Sequence, residues 1–184
     1  MKSERIIIGI DPGTNILGYG LILCTGNKMS LIEMGVLKLG NHANHALKLK
    51  SIFEELSVLI DQHHPDEMAL EAPFFGKNVQ SMLKLGRAQG VAMAAGLSKG
   101  LPIFEYSPKK IKQSITGKGN ASKEQVAAML QNILHINETP KYLDATDALA
   151  AAVCHFFQKG NSSDGNNYSG WKSFIAKNPG RANR

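Results

Sequence analysis

Cysteine is nearly missing from this chain: two residues in 184, Cys24 and Cys154, far apart and outside any CxxC or Cys/His spacing. That excludes a disulfide framework and a structural zinc site, and it fits a reduced compartment, the cytoplasm, with two inert thiols. A long apolar run is missing too. The longest uncharged apolar stretch, Val91 to Leu97, falls far below the ~20 residues a bilayer-spanning helix needs. Met1-Lys-Ser-Glu-Arg5 leads straight into a short apolar run, with neither an h-region nor a small-residue cleavage site, so neither a membrane protein nor a secreted one is expected. What remains is ordinary for a folded domain. Hydrophobic residues make up 43% and charged residues 20%, which excludes wholesale disorder. A chain of this length buries about 70% of its unfolded surface and needs no staple.

Acidic residues are scarce in one stretch only. Residues 77–123 hold nine Lys and Arg against a single Asp or Glu, a balance of +8, whereas residues 1–76 stand at −3 and residues 124–159 at −2. The tail from residue 160 is again basic, at +3. A lysine-rich block of this kind is either a solvated face or a footprint for a phosphate backbone, and charge alone does not choose between them.

Residues 5–11 form a β-branched run closed by Asp-Pro-Gly, a buried strand ending in a turn. Further strands are expected at 18–24 and about 29–39, joined by Gly26-Asn27 into an antiparallel meander. Apolar residues between 44 and 63 follow a helical period that Pro65 ends, and Met68-Ala-Leu70 is a brief strand ending at Glu71. A helix with small residues on one face covers 78–98, a strand 101–105, and a short helix starts at Ser107-Pro108. Ser122 caps a further helix. The last runs from about 143 to 158. Helices alternating with the later strands point to an α/β fold, a mixed sheet flanked by helices. One domain is expected over 1–159, followed by a flexible basic tail over 160–184 whose Gly/Asn/Ser composition and isolated Trp171 match no folded element.

Four acids carry the chemistry. Asp11 and Glu71 end two strands, and in parallel neighbours both would emerge at the sheet edge where open α/β sheets place ligands. Asp144 and Asp147, spaced i, i+3, project from one face of the last helix. Taken singly, each has a plainer explanation: Asp11 as a turn former, the pair as N-terminal helix acids favoured by the macrodipole. Taken together, hard oxygen donors beside a basic block suit Mg²⁺ or Mn²⁺ and in-line phosphoryl displacement on nucleic acid.

Seven motifs in order carry a resemblance: Ile8-Gly-Ile-Asp-Pro-Gly-Thr14 with Gly18-Tyr-Gly20, Glu71-Ala-Pro-Phe-Phe-Gly-Lys-Asn78, Leu83-Lys-Leu-Gly86, Phe104-Glu-Tyr106, Lys112-Gln113, Gly117-Lys-Gly119 and Asp144-Ala-Thr-Asp-Ala-Leu-Ala150. Over residues 5–158 the chain resembles the RuvC family of crossover junction endodeoxyribonucleases. The resemblance implies a ribonuclease-H-like fold with a mixed five-stranded sheet, and the symmetric nicking of two strands at a Holliday junction during DNA recombination and repair, leaving 5′-phosphate and 3′-hydroxyl ends. It implies that Asp11, Glu71, Asp144 and Asp147 hold two Mg²⁺ per subunit, with Mn²⁺ able to substitute, and that Phe74 wedges against bases at the junction. The resemblance also places Lys112 and Lys123 on the family's basic positions near the scissile phosphate. Lys77, Lys84 and Lys118 of the basic block are the further expected DNA contacts. The partners implied are four-way junction DNA, a second copy of the chain, and the branch-migration proteins RuvA and RuvB. The dimer contact is expected on the 78–98 helix, through Gly86, Gly90, Ala92, Ala94 and Ala95.

Three alternatives share parts of this pattern. Actin-like sugar kinases and chaperone ATPases open with a similar Ile-Gly-Ile-Asp-x-Gly-Thr strand, but they need two such domains and an adenosine site. The related RNA-processing nuclease keeps the carboxylates and lacks the Glu-x-x-Phe wedge, and a non-catalytic DNA-binding scaffold leaves the four acids unexplained.

Overall fold

The computed structural model describes residues 4–73, 78–136 and 142–160. Phe74 and Lys77 lie outside them, as does the tail from 161. The strands β1 (Glu4–Asp11), β2 (Ile16–Thr25), β3 (Lys28–Lys38), β4 (Glu67–Glu71) and β5 (Ile103–Tyr106) form one mixed sheet in the order β3-β2-β1-β4-β5. β1 to β3 are the antiparallel meander, with Gly26 at φ 61° supplying the left-handed turn residue between β2 and β3. β4 and β5 then run parallel to β1. β5 starts two residues later than the apolar pattern at 101 suggests. Pro102 has no N–H to give to the ladder, and only its carbonyl is used, accepting from Met68 N at 2.9 Å.

Side-chain alternation sorts the sheet into two cores. Ile8, Ile10, Leu21, Met68 and Leu70 face the helices α1 (His45–His63) and α2 (Val79–Ser98), while Ile7, Ile22 and Ala69 face α3 (Pro108–Thr116), α4 (Lys123–Leu134) and α5 (Leu143–Gly160). Asp11 lies two and four residues beyond Gly9 and Ile7, and Glu71 two beyond Ala69. Both therefore belong to the α5 side.

α5 lies directly on the sheet because the sheet has no side chains where it crosses. A Cβ on Gly9 would sit 2.0 Å from the Ala148 carbonyl oxygen, one on Gly18 2.0 Å from that of Asp144, and one on Gly20 2.8 Å from Leu149 Cα. Gly9 pairs with Gly20, and Gly18 pairs with Asp11 itself. The facing stretch of α5 is alanine-rich, with Ala148, Ala151 and Ala152 fully buried. This close approach brings the first turn of α5 down beside the end of β1. On α2, Ala88, Ala92 and Ala95 face the core and are fully buried, so Ala92 and Ala95 do not belong to an outer contact face. Val79, Leu83, Gly86, Gly90 and Ala94 remain exposed.

Candidate active site

Asp11, Asp144 and Asp147 each offer a carboxylate oxygen within 4.8 Å of the others. Glu71 joins Asp11 and Asp147 on the wall of a cavity of about 270 Å³, opposite Lys112 of α3 and Lys123 of α4. A strand end on β1, a second on parallel β4, and the first two turns of α5 thus supply four acids from three elements. α3 and α4 hold the two lysines above them, each helix fixed by its own serine: Ser107 accepts from Lys110 N, and Ser122 forms a capping box with Gln125.

The electrostatics are those of a site built for positive charge. Burial, and then the charges of Glu71 and Asp147, push the Asp11 carboxyl up to about 8. Burial and Asp147 push Glu71 up to about 7. Like charges at this spacing do not all ionise unless something cationic lies between them. Lys123 partly fills that role. It contacts Asp147 closely and lies 3.7 Å from Asp144 Oδ1. Burial works against its ammonium, but the hydrogen bond to Asp147 and the surrounding acids hold its pKa above the ordinary lysine value. No neighbour in sequence announces this pairing, since Lys123 is 21 residues from Asp144 along the chain.

The donors are carboxylate oxygens alone, with no imidazole or thiolate among them. This is the ligand chemistry of Mg²⁺ or Mn²⁺ and not of a closed zinc site. Asp147 is the more enclosed of the α5 pair, its side chain 14% exposed against 36% for Asp144.

The other expected contacts are dispersed. Lys84 lines a different cavity, against α1, and Lys118 is exposed on the loop between α3 and α4. Sequence reasoning missed a second polar cluster on the same face of the sheet. His155 of α5 is 1% exposed, with Nε2 2.9 Å from Glu67 Oε2 and Nδ1 2.6 Å from the Tyr106 hydroxyl. A neutral ring carrying its proton on Nε2 satisfies both contacts. Arg5 lies 3.4 Å from the same carboxylate oxygen, and the Phe104 ring packs 4.2 Å from the His155 ring. The signal was the β4 alternation Glu67-Met-Ala-Leu-Glu71, which puts both glutamates on the α5 face.

This geometry coincides with what the sequence shares with known proteins. The profile of crossover junction endodeoxyribonuclease RuvC matches residues 7–155. The chain belongs to the RuvC family. The RuvC of Cytophaga hutchinsonii is 64% identical over 176 residues, covering 96% of this chain and 87% of that protein. That of Christiangramia forsetii is 65% identical over 179 residues, covering 97% and 93%. Among solved structures, Thermus thermophilus RuvC in complex with Holliday junction substrate superposes with a TM-score of 0.81 at 31% identity, covering 86% of this chain and 97% of that one. Both the RuvC relatives and the mixed five-stranded sheet bear out the ribonuclease-H-like architecture. Among the described residues no helix is long and apolar enough to cross a membrane.

Proposed function

We propose that this chain resolves Holliday junctions, cutting two symmetric strands at its four-carboxylate site and leaving 5′-phosphate and 3′-hydroxyl ends. The observation that carries the reading is the convergence of Asp11, Asp144 and Asp147 within 4.8 Å in a chain of this family. Asp11, Glu71, Asp144 and Asp147 would hold two Mg²⁺ ions, with Mn²⁺ able to substitute, and Asp11, at the middle of the sheet, would serve both. When bound, such ions neutralise the phosphate and lower the pKa of an attacking water.

The chain's own groups do the rest. Asp11 and Glu71 give up their protons when the cation binds, so cation affinity rises with pH through the neutral range. Lys112 and Lys123, on the facing wall, pair with the oxygens of the scissile phosphate and hold it over the acids. Phe74, three residues after Glu71, is the aromatic that stacks on a base at the crossover. Base–aromatic stacking of ~1–3 kcal/mol holds one unpaired base and does not melt a duplex.

Two symmetric cuts require two sites. The exposed face of α2 supplies the contact for a homodimer: Val79 is 67% and Leu83 51% exposed, and a Cβ added to Gly86 or Gly90 would meet nothing within 4 Å. Apolar side chains beside bare backbone permit close helix approach. RuvA and RuvB are the proposed branch-migration partners. The decisive test is cleavage of a four-way junction with Mg²⁺, with Mn²⁺ and with EDTA, against linear duplex and RNA hybrid. Metal-dependent cutting confined to the junction supports the reading, and equal cutting of an RNA hybrid overturns it.

A further inference from the structure

On the far side of Asp11 from α5, the sheet edge opens into a cavity of about 390 Å³ between α1 and α2. Its lining is polar and basic: Lys48 and Lys84 contribute with His42, His45 and Ser81, and no carboxylate does among the described residues. Each feature of the site is set by a different part of the chain. Lys48 Nζ is fixed in place, donating to the Thr14 carbonyl at 3.0 Å and to Asn15 Oδ1 at 2.7 Å, which ties the turn after β1 onto α1. His45 Nε2 is fully shielded from solvent and has no hydrogen-bond partner among the described residues. Burial, and then the neighbouring charges of Arg87, Lys84 and Lys48, lower the His45 pKa. α1 and α2 both begin here, of 19 and 20 residues, and neither has an acidic residue in its first turn. Two lysines beside a shielded imidazole nitrogen, with no carboxylate in the lining, are the chemistry of an anion site.

The cavity also lies on a path from the acids. A smaller hollow of about 210 Å³ shares Asp11 and Glu71 with the active site and extends through Pro12 to Leu85, the neighbour of Lys84 on α2. From Pro12 the chain reaches Thr14 and Asn15, which line the larger cavity.

We propose that the cavity between α1 and α2, lined by His45, Lys48, Ser81 and Lys84, is a second phosphate-binding site, which grips a backbone phosphate of the bound DNA away from the one being cut. It rests on the junction-cutting reading and adds a binding role for His45 and Lys48, outside the basic block. Its work is to fix the path of the strand across the sheet edge. A phosphate contact of this kind gives affinity and register and no sequence information.

Ser81→Asp tests it without removing a cation. A carboxylate in the first turn of α2 suits the helix macrodipole, so folding is not put at risk, and it places negative charge in the cavity. Lys84→Ala is the companion, since Lys84 is exposed. The measurement is full-length protein binding a four-way junction at a series of salt concentrations, in Ca²⁺ to prevent cutting. Both variants should lose about tenfold in affinity at low salt, with thermal stability kept, and Lys84→Ala should reduce the slope of log affinity against log salt by about 1. If wild type binds and cuts junctions but both variants bind equally tightly, the site is not a DNA contact and the proposal falls while the junction reading stands. If wild type neither binds nor cuts junctions, the underlying reading falls. If inorganic phosphate at millimolar concentration raises the wild-type melting temperature through this cavity while junction binding is untouched by Ser81→Asp, the ligand is free phosphate and the backbone assignment is wrong.

Discussion

Glu67 and Glu71 stand on the same face of β4, four residues apart, and their surroundings are opposite. Glu67 is buried with partners on its Oε2: Arg5 at 3.4 Å and His155 at 2.9 Å. Glu71 faces Asp11 and Asp147 in a cavity, and its carboxyl is pushed up to about 7 by burial and by Asp147. The first arrangement lowers the free energy of the fold as it stands. The second raises it, and makes sense only if a cation completes the site. α5 links the two, since its first two turns carry Asp144 and Asp147 to the Glu71 end and its fourth carries His155 to the Glu67 end. Satisfied carboxylates hold this helix in register, so that unsatisfied ones can be held close together.

The sharpest break of that comparison is Asp11→Asn. Cutting should be lost, because one of the converging donors goes, whereas junction affinity in Ca²⁺ should hold or rise, because a negative charge leaves a phosphate site. Loss of binding together with cutting would place Asp11 in the architecture and not in the chemistry. Next in size is His155→Leu, which removes the 2.9 Å partner of Glu67 and the 2.6 Å partner of Tyr106. A buried carboxylate stripped of a partner costs about 3 kcal/mol, read by denaturant unfolding. Gly18→Ala should combine the two effects. Its methyl would sit 2.0 Å from the Asp144 carbonyl oxygen, so α5 must lift at its acidic end, with about 1–3 kcal/mol of strain and a large fall in cutting. A Gly18→Ala protein of wild-type activity would show that the close approach does not set the site.

Much of the acidic site was legible in the sequence, and for identifiable reasons. Asp11 and Glu71 close apolar runs whose period-2 alternation fixes their facing, and Asp144 and Asp147 follow helical spacing, so each could be placed by local rules. The order of strands and helices gave the mixed sheet by the same means. What local rules do not reach is long-range pairing. Lys123 against Asp144 and Asp147, and His155 against Glu67 across 88 residues, exist only once α4 and α5 have packed on the sheet. The small residues of α2 show the complementary failure. Ala92 and Ala95 look like a contact stripe, yet composition does not say which face turns inward, and the fold buries both against its own sheet.

The finest test compares the two glutamates by the sign of their effect on stability without metal. Folding raises the Asp11 carboxyl from its model-peptide value of 3.8 to about 8 and Glu71 from 4.5 to about 7. The folded protein therefore holds protons that the unfolded chain has already released, and stability of the metal-free protein falls as pH rises from about 4 through 7 and 8. Glu71→Gln removes one of these ionisations, so in EDTA at pH 8 it should unfold at a slightly higher temperature than wild type, and its decline between pH 5 and pH 8 should be shallower. Glu67→Gln should do the reverse, lowering the melting temperature across that range because it weakens contacts to Arg5 and His155. Mg²⁺ should then raise the wild-type melting temperature more at pH 8 than at pH 5, since at the higher pH the ion meets carboxylates already charged, and this gain should shrink in Glu71→Gln. Melting curves of the three proteins at two pH values, with EDTA and with Mg²⁺, read the whole set. Equal and opposite shifts at positions 67 and 71 would confirm one glutamate as a strut and the other as a ligand, whereas shifts of the same sign would mean that the Glu71 carboxyl is held by partners of its own and is not waiting for a cation.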